Sequence, residues 1–212
     1  MKLTSARMAW HDCYYTRWDS VMHHGLEGAK LGKRGYVANE TRPERCENLG
    51  RCAHMAIAGR VQNAIASLPL EHQAFGHHLY APVITTEQSN AWEEAAHGLL
   101  VGGVDLALRE RGEKRRCLEY TPEWYVVLGV LHRYRCMVQG GMGANPDPLE
   151  EPRLFRGWLA ERYGVTLDRR NWTRNWGWFV QLVFRVAGQQ DGLTLRPVST
   201  VILSEWEKEE AA

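Results

Sequence analysis

The spacing of histidine and cysteine limits what chemistry this chain can carry. Nine histidines and five cysteines invite a metal reading, and His72, His77 and His78 fall within one short stretch. Zincin-type sites need His-Glu-x-x-His on one helix face, so that two imidazoles converge on zinc and the glutamate acts as base. That order is absent, and the three are read as ordinary surface or half-buried histidines. Cys46, Cys52 and His54 form the better metal candidate, with Cys13 or His11 as a remaining ligand. A structural zinc site usually draws two ligands from a tight Cys-x2-4-Cys turn. Here five residues intervene between Cys46 and Cys52, so small thiols are preferred and no metal is assigned. Gly28-Ala-Lys-Leu-Gly32-Lys33-Arg34 is one residue too short for a phosphate loop, and Arg34 stands where a Ser or Thr should hold magnesium. No Gly-x-Ser-x-Gly elbow occurs and no carboxylate pair is singled out. The expectation is a non-enzyme without a cofactor.

Arginine offers a more coherent chemistry. Of 26 basic residues 21 are arginine, whose planar fork suits bidentate contact with phosphate or guanine. The formal charge of +1 hides segregation: residues 1–60 hold 10 basic and 6 acidic groups, 61–100 hold 0 and 4, and 101–185 hold 14 and 10. LFRGWLAERYGVTLDRRNWTRNW has the spacing of a helix-turn-helix, with Gly164 in the turn. Its second helix would present Arg169, Arg170, Asn171, Thr173, Arg174 and Asn175 to double-stranded DNA while Trp172 and Trp176 face inward. Arg153, Arg156 and Arg162 on the preceding helix would be backbone-positioning contacts. Arginines on the solvated face of a plain helical hairpin, or a tryptophan platform for a protein partner, would give the same pattern.

The elements that would position these residues read as all-α: a small helical bundle with a C-terminal helix-turn-helix-like segment. A helix with Trp10, Tyr14, Tyr15 and Trp18 at helical spacing ends at Gly25. A loop extends over 25–49, with Lys30, Lys33, Arg34, Arg42 and Arg45 as a phosphate-touching arm. Met55, Ala58, Val61, Ile65 and Leu68 mark the next helix, and Pro69 opens another. Ser89 or Asn90 is the expected cap of a helix within 85–111, which Gly98, Gly102 and Gly103 could split in two. Thr121-Pro122-Glu123 opens a helix whose last turns carry Arg133 and Arg135, as the helix dipole prefers. Leu154, Trp158 and Leu159 mark the next helix, a further one starts with Thr166 or Asp168 as cap, and the tail forms a strand pair or a last helix. The domains expected are a helical region over 1–138, a Gly/Pro-rich linker over 139–152, and the helix-turn-helix-like region over 153–212.

Length and composition, 212 residues at 44% hydrophobic and 24% charged, fit a folded globule with a sizeable core. The absence of a long apolar run and the early Arg7, His11 and Asp12 argue against a membrane span or leader, so a cytoplasmic location is expected. An odd number of cysteines suits a reducing compartment.

RVQNAIASLPLEHQAFGHHLY, from Arg60 to Tyr80, joins an apolar helix, a Leu-Pro pair and another helix ending in Leu-Tyr. With Trp10, Trp18 and the C-terminal helical segment, it resembles phage late-gene transcription antitermination proteins of the Q class, in the branch similar to sigma-factor region 4. The resemblance implies a factor that recognises a promoter-proximal DNA element, engages bacterial RNA polymerase holoenzyme and promotes terminator read-through. The paired Cys-x2-Cys knuckles of the zinc-bearing members are absent. The rival readings are a helix-turn-helix regulator of initiation and a Trp/Arg-rich protein–protein adaptor.

Overall fold

The computed structural model describes residues 5–14, 44–82, 85–138 and 147–210. They form helices α1 (Ala6–Asp12), α2 (Glu44–Ala66), α3 (Leu70–Tyr80), α4 (Thr86–Glu110), α5 (Pro122–Val138) and α6 (Pro152–Tyr163), then a π-helical turn at Thr173–Gly177 that leads into α7 (Trp178–Glu210). No strand occurs among the described residues. The all-α expectation therefore stands.

Local chemistry sets several of the boundaries. Ser5 accepts a hydrogen bond from the Met8 N–H and starts α1. Thr85, rather than Ser89 or Asn90, caps α4 by accepting from the Gln88 N–H at 3.2 Å, which satisfies one of the first-turn donors. The helix α4 then runs unbroken for 25 residues. Its glycines do not divide it, because tertiary contact exploits one of them: a Cβ on Gly103 would lie 2.8 Å from Val186 Cγ1. Likewise a Cβ on Gly129 of α5 would meet the Phe155 ring at 2.9 Å, so glycine lets α6 approach α5 closely. Helix α2 begins at Glu44, so residues 44–49 are helical where the sequence pattern suggests a loop. Lys30, Lys33, Arg34 and Arg42 lie outside the described residues, as do Tyr15, Trp18 and residues 139–146 of the linker. Arg45, Cys46, Cys52 and His54 lie along α2, and their side chains are outside the described set.

The C-terminal expectation is overturned. Residues 153–183 do not form a helix-turn-helix. Gly164, at φ 68°, ends α6 in the left-handed conformation that favours glycine. An irregular stretch comes next, in which Asp168 accepts from the Arg170 N–H at 2.8 Å instead of capping a helix. Asn171 is again left-handed at φ 52°, and helical backbone resumes only at Trp172. The connection is longer than the three or four residues of a helix-turn-helix. Beyond the π-helical turn the chain runs as a single 33-residue helix to Glu210, with Pro197 inside it. The tail is thus helix, without a strand pair.

Two compact units divide the chain: residues 1–68 with 196–212, and residues 69–195. In the first, α1 packs on α2, and Gln62 donates to the Cys13 carbonyl at 2.6 Å. Trp10, Val61, Ile65, Val198 and Ile202 are its buried apolar residues, and Arg60 forms a two-pronged ion pair with Glu205. In the second, α3 and α4 form the most extensive helix pair and α5 packs on α3, α4 and α6. Phe75, Leu100, Val104, Leu131, Phe155, Leu159, Phe179 and Val183 fill its core. The buried face of α6 is Phe155 and Leu159, whereas Leu154 is half exposed to solvent at 50%. No helix among the described residues is long and apolar enough to cross a membrane.

Candidate nucleic-acid interface

Six arginines against Glu161 and Asp168 lie between residues 153 and 176. Arg153, Arg162, Arg169, Arg170 and Arg174 are exposed, and Arg156 is half-buried with its guanidinium 5.4 Å from the Trp172 ring centre. Trp172 in turn meets Phe155 edge-on at 6.4 Å. The packing of Trp172 thereby places the 169–174 segment beside α6, so these arginines share one region although they are not on two helices of a reading motif. Asn171 and Thr173 are exposed as well. Asn175 is committed to the fold: its side chain donates to the Arg170 carbonyl at 3.3 Å, and its own carbonyl accepts from Arg115 Nη1 at 2.9 Å. It is removed from the set that could read a base.

Arg115 brings a second basic segment to the same place. Residues 109–116 hold Arg109, Arg111, Lys114, Arg115 and Arg116 against Glu110 and Glu113. The guanidinium of Arg115 lies 4.6 Å from the Trp176 ring centre and 5.5 Å from those of Trp178 and Phe179, and its Nε is 3.4 Å from Glu123. Arg111 lies 5.7 Å from the Trp178 ring. The turn after α4 is thus held against the π-helical turn, and exposed Arg109, Arg111 and Lys114 join the arginines of 169–174. Sequence reasoning does not single these residues out. Their signal is the density of five basic groups in eight residues, which reads as a charged surface turn until Trp176 is known to be its neighbour. Trp176 is buried, as its helical spacing predicts, while Trp172 is only half-buried.

Four of the described histidines pack within the fold. His78 is buried and its imidazole pKa is pushed down to about 3, chiefly by burial and then by the charge of Arg135. Burial also lowers His77, His97 and His132. Each of these last three packs on a tryptophan: His77 on Trp92, His97 on Trp124 and His132 on Trp158. Cys136 Sγ lies 3.8 Å from His132 Nε2, and burial raises its thiol pKa, which disfavours the thiolate. Among the described residues no three His, Cys, Asp or Glu side chains converge to hold a metal ion.

These buried imidazoles make stability depend on pH. A histidine pKa that is lower folded than unfolded means that the unfolded chain binds the extra proton, so stability is present above about pH 6.5 and lost as the pH falls toward the folded value. Between pH 7.5 and 5, His78 alone should cost about 2 kcal/mol. Urea unfolding at pH 7.5 and pH 5 should show a lower midpoint at pH 5, and a His78→Gln variant should lose part of the difference.

Compared with protein-family models, curated proteins and solved structures, the chain matches none.

Proposed function

We propose that the chain binds double-stranded DNA through the arginines of residues 153–174 and the adjoining 109–116 turn, and acts in transcription as an antitermination factor that engages bacterial RNA polymerase. One observation carries the DNA reading: Arg115, seated on Trp176 and bonded to the Asn175 carbonyl, joins two basic segments that lie about sixty residues apart in sequence. Exposed arginines held on a rigid helical frame neutralise phosphates and release their counterions, which supplies most sequence-independent affinity. The site reads phosphates more readily than bases, because Arg169 and Arg170 extend from the irregular stretch before the π-helical turn and not from a helix laid in the major groove. The role in antitermination rests on the resemblance carried by Arg60–Tyr80.

Replacement of Arg169, Arg170 and Arg174 together by alanine tests the reading. Titration of a short duplex across salt concentrations should give a log–log slope shallower by about 0.9 for each phosphate no longer neutralised. An unchanged slope with unchanged affinity would remove these residues from the interface. Transcription by the host polymerase past a terminator, with the protein added before promoter escape, separates read-through from an effect confined to initiation.

A further inference from the structure

Glycine serves two purposes along α4. A Cβ on Gly103 would run into Val186, whereas one on Gly98 or Gly102 would meet nothing within 4 Å. Packing inside the unit therefore does not call for glycine at 98 or 102, although each weakens a helix interior. Both are exposed, as are Glu87, Ala91, Glu94, Leu106 and Arg109. The seven follow one another at intervals of three or four residues and so share one face of the helix, with the two glycines as a notch near its middle.

Large apolar side chains border that notch. Leu106 is 58% exposed and Leu118 64%. The Asp105 carboxylate accepts the Cys117 N–H at 2.9 Å, which brings Leu118 to the turn of α4 that carries Leu106. Exposed leucines grouped beside a strip of bare helix backbone, and not scattered singly, mark a contact surface.

Charge selects the occupant. Glu87 stands eleven residues before Gly98, and Arg109 stands eleven residues after it. Neither side chain has an ion-pair partner among the described residues. A second α4 laid antiparallel about a two-fold axis at Gly98 brings each Glu87 opposite the other copy's Arg109, at both ends of the contact. At a crossing of about 20° such long side chains, about 16 Å from the axis, still reach one another. The same register lays each Leu106 against the other copy's Ala91. The remaining exposed acids of the helix, Glu94 and Glu110, fall opposite Gly102 and Thr86 and face no carboxylate directly.

We propose that the chain pairs with a second copy of itself through the exposed face of α4, antiparallel, with Gly98 at the two-fold axis. A two-fold contact needs a face complementary to itself, and this one has an acidic end, a glycine centre and a basic end. A foreign helix would need matching charges at the same separation, which a second copy carries by construction. The pairing stands apart from the duplex reading, with which it shares Arg109 alone.

Sedimentation velocity of the full chain over a range of concentrations should show a reversible dimer. Gly98→Arg should dissociate it, through bulk and two like charges at the axis, with helix content by circular dichroism unchanged because the space around Gly98 is open. Glu87→Arg and Arg109→Glu should each weaken the dimer by about tenfold or more. An equimolar mixture of those two variants should recover it, since each supplies the charge the other lacks at both ends. Under mild oxidation Gly98→Cys should give a disulfide-linked dimer, whereas Gln88→Cys should not, because the symmetry holds its two copies about 30 Å apart. A monomer at every concentration would leave the face to another partner and overturn the proposal. A dimer indifferent to Gly98→Arg, or no recovery in the mixture, would overturn it as well.

Discussion

Asp147→Ala should lower the free energy of unfolding by about 3–5 kcal/mol, because it strands a buried cation. Arg133 is only 7% exposed. Its guanidinium sits 5.2 Å from the Phe155 ring centre and 4.7 Å from that of Phe184, and its Nη2 is 2.5 Å from Asp147 Oδ2. Burial of Asp147 opposes ionisation, but the Arg133 hydrogen bond and the Leu149 N–H, 2.9 Å from Oδ1, hold its carboxyl pKa below the usual value. Without the carboxylate, Arg133 would keep its two aromatic neighbours and lose its counter-charge. Removing both charges is a different case: Arg133→Met with Asp147→Leu should recover most of the loss, since an apolar pair of similar volume carries no desolvation penalty. Equilibrium urea unfolding of the single and double variants measures both. A single-variant cost under about 1 kcal/mol would mean that water reaches the guanidinium as soon as its partner goes.

The second large effect is expected at Asp191, which is 3% exposed on α7. It accepts a hydrogen bond from the Tyr80 hydroxyl of α3 at 2.5 Å and another from the Tyr134 hydroxyl of α5 at 2.8 Å. One residue earlier Gln190 meets His72 of α3 at 3.1 Å. Three helices are therefore joined through one carboxyl group. Asp191→Ala leaves two hydroxyls to find other partners, at about 1–3 kcal/mol for each that stays unsatisfied. For a chain of this size about 1 kcal/mol moves the melting temperature by about 2–4 °C, so thermal unfolding followed by circular dichroism should show a drop on the order of 5–15 °C. Tyr80→Phe with Tyr134→Phe in the Asp191→Ala background should win back part of it. If Asp191→Ala melted with the parent, the carboxyl would be no organiser of the bundle.

Arg133 also illustrates what the sequence could and could not disclose. Its position in the last turns of α5 suggests a cation placed for the helix dipole, a local signal. Its partner lies fourteen residues on, past a break rich in glycine and proline, and no periodicity reports such a pairing. Helix identities were legible because caps, prolines and apolar spacing are local: Pro122 starts α5 and Gly164 ends α6 as their residue types demand. Apolar spacing marks α6 by Leu154, Trp158 and Leu159, of which Leu159 is buried; Phe155, four residues before it, completes the buried face in place of Leu154, and only the packing against α5 decides this. The helix-turn-helix expectation fails for a related reason. Gly164 is a true helix stop, but Asp168 bonds its own neighbourhood and Asn171 turns left-handed, so the expected reading helix starts late and then continues far beyond the motif. The candidate interface was legible in part. Exposure of Arg169, Arg170 and Arg174 follows from their charge, whereas the contribution of residues 109–116 depends on Arg115 meeting Trp176, a contact between elements far apart in the chain.

Helix α7 has a consequence for the order of events at the ribosome. Residues 178–195 belong to the unit formed by 69–195, while its last turns, with Val198, Ile202 and Glu205, complete the unit begun by residues 1–68. Synthesis runs from the amino end. The first segment emerges without the residues that close its core and waits while the whole of 69–195 is made, for roughly ten seconds at about 5–20 residues per second. The later-made unit can therefore fold first, with its full complement of helices in hand. The earlier one shares its unit with the carboxyl end of the chain, and a ribosome that stops before residue 196 would release a protein in which Arg60 lacks Glu205 and the unit lacks its buried Val198 and Ile202.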